Sequence, residues 1–109
     1  LIIDAGMNDL MRPALYDAIH KIIPVKMNVK KSKKNYEFFG PICESTDKFA
    51  VFKNFQKLKE KDLVIILDVG AYGMSLSSNY NLRPKATELL IKSSKIKIIS
   101  KRQKLKDLI

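Results

Sequence analysis

The chain has 109 residues, 46% of them hydrophobic and 29% charged, with a formal net charge of +10. That length suits one small domain, and the composition is that of a folded chain rather than a disordered one. No apolar run approaches the roughly 20 residues that cross a bilayer, no signal peptide is visible, and a single cysteine excludes an internal disulfide and suits a reducing, cytoplasmic compartment.

The positive charge points toward nucleic acid less than its size implies. Of the 21 basic residues, 18 are lysines and three are arginines, and the lysines are spread along the chain. Readers of base edges use arginine forks, and single-strand binders add aromatic platforms; neither pattern is present. No nucleic-acid partner is expected. The densest basic run, Lys30 to Asn35, reads as a solvated hairpin loop.

In chain order, Leu1-Ile2-Ile3-Asp4 reads as the end of a buried strand and, with no initiator methionine, as the start of a piece of a longer polypeptide. Asp4 to Asp9 is rich in turn residues, and Asn8 or Asp9 is placed to cap a helix over Leu10 to Ile19 with Pro13 in its first turn. Arg12 and Tyr16, four residues apart, then share one helix face. Partial alternation predicts a strand from Ile22 to Val29, paired across the lysine loop with Tyr36 to Ile42 in a hairpin that delivers Cys43. Lys48 to Phe55 is a further strand or a helix, Gln56 to Lys61 a charged connector, and Asp62 to Val69 a central buried strand. That strand stops at Gly70-Ala71-Tyr72-Gly73, where two glycines allow close approach of backbone or ligand. Met74 to Tyr80 reads as one irregular helical turn. Asn81 to Pro84 breaks the chain before two strands, Ala86 to Ile91 and Ile96 to Ser100. Lys104 to Ile109 begins a terminal helix. His20 has no acidic or metal-ligand neighbour in sequence and reads as structural. Repeats, metal-ligand spacing and phosphate loops are absent.

The segment Phe39-Gly40-Pro41-Ile42-Cys43-Glu44-Ser45 carries the chemistry. Gly-Pro ends a strand, so the thiol of Cys43 and the carboxylate of Glu44 are presented on a loop, where Ser45 and Asp47 can bond the turn backbone.

Four blocks in order, Asp4 to Tyr16 (Asp-Ala-Gly-Met-Asn-Asp-Leu-Met-Arg-Pro-Ala-Leu-Tyr), Gly40 to Ser45, Gly70 to Gly73 and Ser77 to Pro84, together resemble the diaminopimelate decarboxylase family across nearly the whole chain. The resemblance covers the carboxy-terminal part of that family's protein. It implies a mainly β domain with short helices, a β-barrel or sandwich of the alanine-racemase carboxy-terminal type, spanning residues 1–109. The (β/α)8 barrel that carries pyridoxal 5'-phosphate on a lysine lies outside the chain, so the isolated fragment is expected to be inactive. It further implies a homodimer in which this domain's cysteine block meets the partner subunit's cofactor. Cys43 would be the general acid that protonates the substrate's α carbon, with a pKa that local charge can tune. Glu44 would pair with the distal amino group of meso-diaminopimelate, Arg12 with Tyr16 would hold its distal carboxylate, and Tyr72 would touch cofactor or substrate. An arginine deprived of that carboxylate is costly, which is a source of specificity.

Two positions depart from the family pattern: Thr46 stands where glycine usually follows Cys-Glu-Ser, and Val69 replaces a frequent alanine. Ornithine- and arginine-type relatives carry Cys-Asp and lack the Met-Asn-Asp-Leu-x-Arg-Pro block. A catalytically silent, partner-binding β domain is the remaining alternative within the family, and the retention of Cys43, Glu44, Arg12 and Tyr72 speaks against it.

Overall fold

A computed structural model describes residues 1–109. It contains a short helix α1 (Arg12–Tyr16) and strands β1 (Ile22–Pro24), β2 (Lys33–Phe39), β3 (Lys48–Gln56), β4 (Val64–Ile66), β5 (Glu88–Lys92) and β6 (Lys95–Ser100), with 3-10 turns at Tyr80–Leu82 and Leu105–Asp107. The strands pair as β1 with β4, β2 with β3 and β5 with β6, all antiparallel. A parallel bridge joins Ile2 to Phe39. The mainly β class with short helices therefore holds. No helix is long and apolar enough to cross a membrane.

The β2–β3 hairpin supplies the core. Tyr36 and Phe38 project from one face of β2, and β3 answers with Phe52 and Phe55, whose rings lie 5.9 Å apart. A spacing of three should send these two to opposite faces of a strand. Asn54 between them has φ of 55°, and the register slips by one residue between the pairs Lys34–Phe55 and Tyr36–Phe52. This bulge turns both phenylalanines inward. The side chain of Asn35 accepts the Asn54 N–H at 3.1 Å and secures it. Phe38 is wholly buried, with edge-on contacts to Phe52 at 5.7 Å and Phe55 at 5.3 Å. Leu10, Ile22 and Phe49 complete the buried cluster.

The pairing differs from the one expected in sequence. The strand from Ile22 is short, ending at Pro24, and it pairs with Val64–Ile66 instead of the Tyr36 segment; one more bond, from the Val25 N–H to the Leu63 carbonyl at 2.9 Å, follows the proline. The aromatic face of β2 is matched by the phenylalanines of β3, whereas β1 offers two isoleucines that suit the aliphatic β4. Beyond Pro24, Gln56 stands in for a strand. Its side chain accepts the Asn28 N–H at 2.6 Å and donates to the Lys26 carbonyl at 3.0 Å. The hairpin that delivers Cys43 is thus β2–β3. Lys33 and Lys34 of the basic run belong to β2 and remain exposed.

The stretch Asp62 to Val69 is not a central buried strand. Only Val64–Ile66 is extended, it has one partner, and Leu63 is 70% exposed. In the connector before it, Asp62 accepts the Lys59 N–H at 2.9 Å and faces Lys31 Nζ at 3.6 Å. The Lys59 bond first, then the lysine charge, holds its carboxyl below the usual range against an opposing desolvation.

The helix is shorter than the expected Leu10–Ile19. Asp17 adopts left-handed backbone angles, with φ of 54°, and closes α1 after Tyr16. Pro13 sits in the first turn as expected, but no side chain caps the helix. The carboxylate of Asp9 turns back to accept the Gly6 N–H at 2.9 Å, and Asn8 is buried. β5 and β6 form a hairpin through Ser93 and Ser94, both at positive φ, as a tight turn matched to strand twist requires. The terminal helix is reduced to the turn Leu105–Asp107. His20 is buried and donates from Nδ1 to the Leu67 carbonyl at 3.0 Å, tying the entrance of β1 to the exit of β4.

Because Phe38 carries no exposed surface and touches three other rings, Phe38→Ala is expected to cost about 3–5 kcal/mol. The check is a lower urea midpoint at unchanged slope.

Candidate active site

The loop Gly40–Asp47 closes the β2–β3 hairpin, and one carboxylate organises it. Asp47 is 2% exposed. Its Oδ2 accepts the Ile42 N–H at 2.7 Å, its Oδ1 accepts the Met7 N–H at 2.7 Å, and its carbonyl accepts the Gly40 N–H at 2.9 Å. A Cβ on Gly40 would overlap the Asp47 carboxylate, so the glycine is required by close approach. Ile42 is buried as an anchor, and the next two residues, Cys43 and Glu44, stand exposed at the tip.

Thr46 takes no positive φ, so this loop needs no glycine there. Its hydroxyl donates to Glu44 Oε1 at 3.3 Å, a contact that glycine could not make. Asp47 bonds the turn backbone as its short side chain allows, while Ser45 is exposed and adds no such bond.

The second group of side chains stands on the Met7 turn and on α1. The Gly6 carbonyl accepts from Asp9 N at 2.9 Å and Leu10 N at 3.1 Å, which folds the chain back before α1. The Asn8 carbonyl accepts the Ser78 N–H at 2.9 Å, and Arg83 Nη2 donates to the Asp4 carbonyl at 2.6 Å. The Ser77–Pro84 block therefore braces this turn. From α1 the Arg12 guanidinium lies over the ring of Tyr72, 5.5 Å from its centroid. Tyr16, expected beside Arg12, is 64% exposed, and the ring beneath the guanidinium belongs to Tyr72.

Tyr72 is placed by the turn that ends β4. Asp68 reverses the chain at φ of 58°, and Gly73 N donates to the Val69 carbonyl at 2.8 Å. A Cβ on Gly73 would strike that carbonyl, whereas one on Gly70 would meet nothing. Gly73 is thus the glycine on which the turn depends. Tyr72 remains 58% exposed.

Two half-sites result. One is Cys43 with Glu44 and Thr46; the other is Arg12 on Tyr72 with Tyr16 nearby on α1. No side-chain hydrogen bond or ion pair joins them. Their supports meet at Asp47, which bonds residues 7 and 42. The reach of Asp47 to Met7, 40 residues away, has no signal in the sequence. Between α1 and the loop lies an open depression of about 300 Å³ bordered by Pro13, Ala14, Ser45 and Thr46.

Comparison with known proteins gives a consistent picture. The C-terminal sheet domain of the pyridoxal-dependent decarboxylases matches residues 1–70. A diaminopimelate decarboxylase of Aquifex aeolicus is 43% identical over 103 residues, 94% of this chain and 24% of the relative. A crystal structure from the same organism superimposes with a TM-score of 0.92 at 40% identity, covering 99% of this chain and 27% of the other. A diaminopimelate decarboxylase from Helicobacter pylori, complexed with L-lysine, gives a TM-score of 0.84 at 44% identity over 98% of this chain and 26% of that one. The chain spans about a quarter of the length of these relatives.

The contact between Gly40 and Asp47 makes a sharp expectation. Gly40→Ala is expected to destabilise the protein by about 1–3 kcal/mol through overpacking of a buried carboxylate. Gly70→Ala, which meets open space, is expected to leave the melting temperature within about a degree or two of its original value. Thermal denaturation of the two variants side by side checks both.

Proposed function

Because the chain belongs to the pyridoxal-dependent decarboxylases, as part of their C-terminal sheet domain, we propose that it completes the active site of a diaminopimelate decarboxylase. The reaction converts meso-2,6-diaminopimelate to L-lysine and carbon dioxide, the last step of lysine biosynthesis. The observation that carries this reading is an exposed thiol and an exposed carboxylate side by side on a loop fixed from beneath by Asp47.

The donor set fits the rim of a pyridoxal phosphate site. Tyr72 offers an exposed aromatic side chain, and Cys43 an accessible thiol. The lysine that holds the cofactor lies outside this chain, and the isolated fragment is inactive for that reason. When bound, pyridoxal phosphate supplies the electron sink for loss of carbon dioxide. Cys43 Sγ holds the proton that the substrate's α carbon then takes up. Glu44, with its Oε1 held by the Thr46 hydroxyl, pairs with the distal ammonium of the substrate. Arg12 binds the distal carboxylate, with Tyr16 on the same helix adding its phenol. Tyr72 supports the guanidinium from below and contacts the cofactor or substrate with its free edge.

The same reading includes a homodimer with shared active sites, each subunit lending its Cys43 loop to the other; the exposure of Cys43 and Glu44 at the loop tip supports it. The single free thiol suits a cytoplasmic enzyme. The Cys-Glu pair and the Arg12 block favour diaminopimelate over ornithine or arginine as substrate.

The test is turnover of meso-diaminopimelate and of ornithine by the full-length polypeptide with pyridoxal phosphate, reading lysine, putrescine and carbon dioxide. Lysine from the first substrate, and no putrescine from the second, is the expected result. Cys43→Ala is expected to lower kcat about 10²–10⁴-fold, and Arg12→Met to raise KM for meso-diaminopimelate about tenfold or more. Cofactor binding without consumption of either substrate would overturn the activity and leave a partner-binding domain of the same family.

A further inference from the structure

We propose that Asp47 is a positioning residue of this enzyme, one that holds the proton-donor loop and the arginine-bearing turn in a fixed mutual relation. The proposal rests on the function argued above and adds a residue that touches neither substrate nor cofactor.

Asp47 is almost wholly buried, yet no lysine, arginine or histidine pairs with it; the ion pairs of the chain are Lys31 with Asp62 and Lys48 with Glu37. A carboxylate in that position is retained for the donors that surround it. Both of its oxygens are committed, at 2.7 Å each, to backbone N–H groups from distant parts of the chain. Ile42 immediately precedes Cys43. Met7 opens the turn whose next carbonyl, that of Asn8, is tied to Ser78 and which leads into Arg12. The Asp47 backbone takes part as well, since its carbonyl accepts from Gly40 and its N–H donates to the Glu44 carbonyl at 3.0 Å.

A side chain serving stability alone could bond either segment. Asp47 bonds both, one residue from the thiol on one side and five from the guanidinium on the other. A shift of either segment by an ångström misplaces the proton donor, and such a shift costs about 10²-fold in rate where geometry is tight.

The test uses the full-length, cofactor-loaded enzyme with Asp47→Asn, which preserves shape and one acceptor but turns an amide N–H₂ toward the other donor. Expected are a kcat lowered about 10–100-fold per folded molecule, a KM for meso-diaminopimelate within about threefold, and alkylation of Cys43 by iodoacetamide accelerated about fivefold or more as the loop loosens. Alkylation is also read on the cofactor-free protein, so that it is independent of turnover. A lower melting temperature with unchanged alkylation rate, kcat and KM would overturn the proposal and leave Asp47 a stabilising residue only. If Cys43→Ala proves harmless while Asp47→Asn accelerates alkylation, the role given to Cys43 fails and the lock stands. Should the asparagine variant not fold, amide hydrogen exchange of the unmodified enzyme decides. The Met7, Gly40 and Ile42 amides are expected to open as one unit, with protection within about threefold of each other. Independent exchange of the three would overturn the lock.

Discussion

A buried carboxylate without a cation beside it must be met by hydrogen-bond donors, and the local structure around Asp47 follows from that requirement. Met7 and Ile42 supply the donors, and Gly40 supplies the room. Donors on the backbone cannot move without moving the chain, so meeting the carboxylate fixes the path of two loops at once. The exposed tip at Cys43 and Glu44 is therefore not a flexible excursion. It is a short span between a buried Ile42 and a buried Asp47, and its geometry is set from beneath.

The aromatic hairpin below gives that arrangement a rigid base. Phe38, one residue before the end of β2, and Phe49, one residue after the start of β3, are both buried next to the loop they flank. The bulge at Asn54 adds Phe52 and Phe55 to the same face and concentrates four aromatic rings in a chain of modest core. Rigid aromatic side chains lose little rotamer freedom on burial and gain area, which suits a small domain with few buried residues. The cation over Tyr72 extends the same logic to the other half-site, where a ring fixes a long, otherwise mobile arginine.

What could be read from the sequence was whatever local chemistry decides. The Gly-Pro break before Cys43, the bonding of turn backbone by Asp47, Pro13 in the first turn of α1 and the two last strands all follow from propensities that act within a few residues. The pairing of β1 with β4 was not legible, because Ile22 and Ile66 lie far apart in the chain and aliphatic character alone does not single out one partner strand. Tyr72 beneath Arg12 was hidden for the same reason. The helix ended early at Asp17 because an aspartate tolerates left-handed angles and competes for local hydrogen bonds, which a count of apolar spacing does not see. The stretch Lys48 to Phe55, open between strand and helix in the sequence, is a strand whose bulge changes phase without changing composition.

The run Asp62 to Val69 shows a different limit. Its β-branched, aliphatic character is that of a strand covered on both faces, and β5–β6 has the same character, with Leu89, Leu90, Ile91, Ile96, Ile98 and Ile99 all exposed. Periodicity reports the environment a strand is selected for, which includes surfaces beyond its own ladder. The chain spans about a quarter of the length of its relatives, so such faces need not find their cover within it. The two half-sites obey the same rule. Cys43 with Glu44, and Arg12 with Tyr72, are each supported from within the chain while Cys43, Glu44 and Tyr72 stand exposed at the surface. Local packing fixes how these side chains are held, through Asp47 beneath the one group and the Tyr72 ring beneath the other.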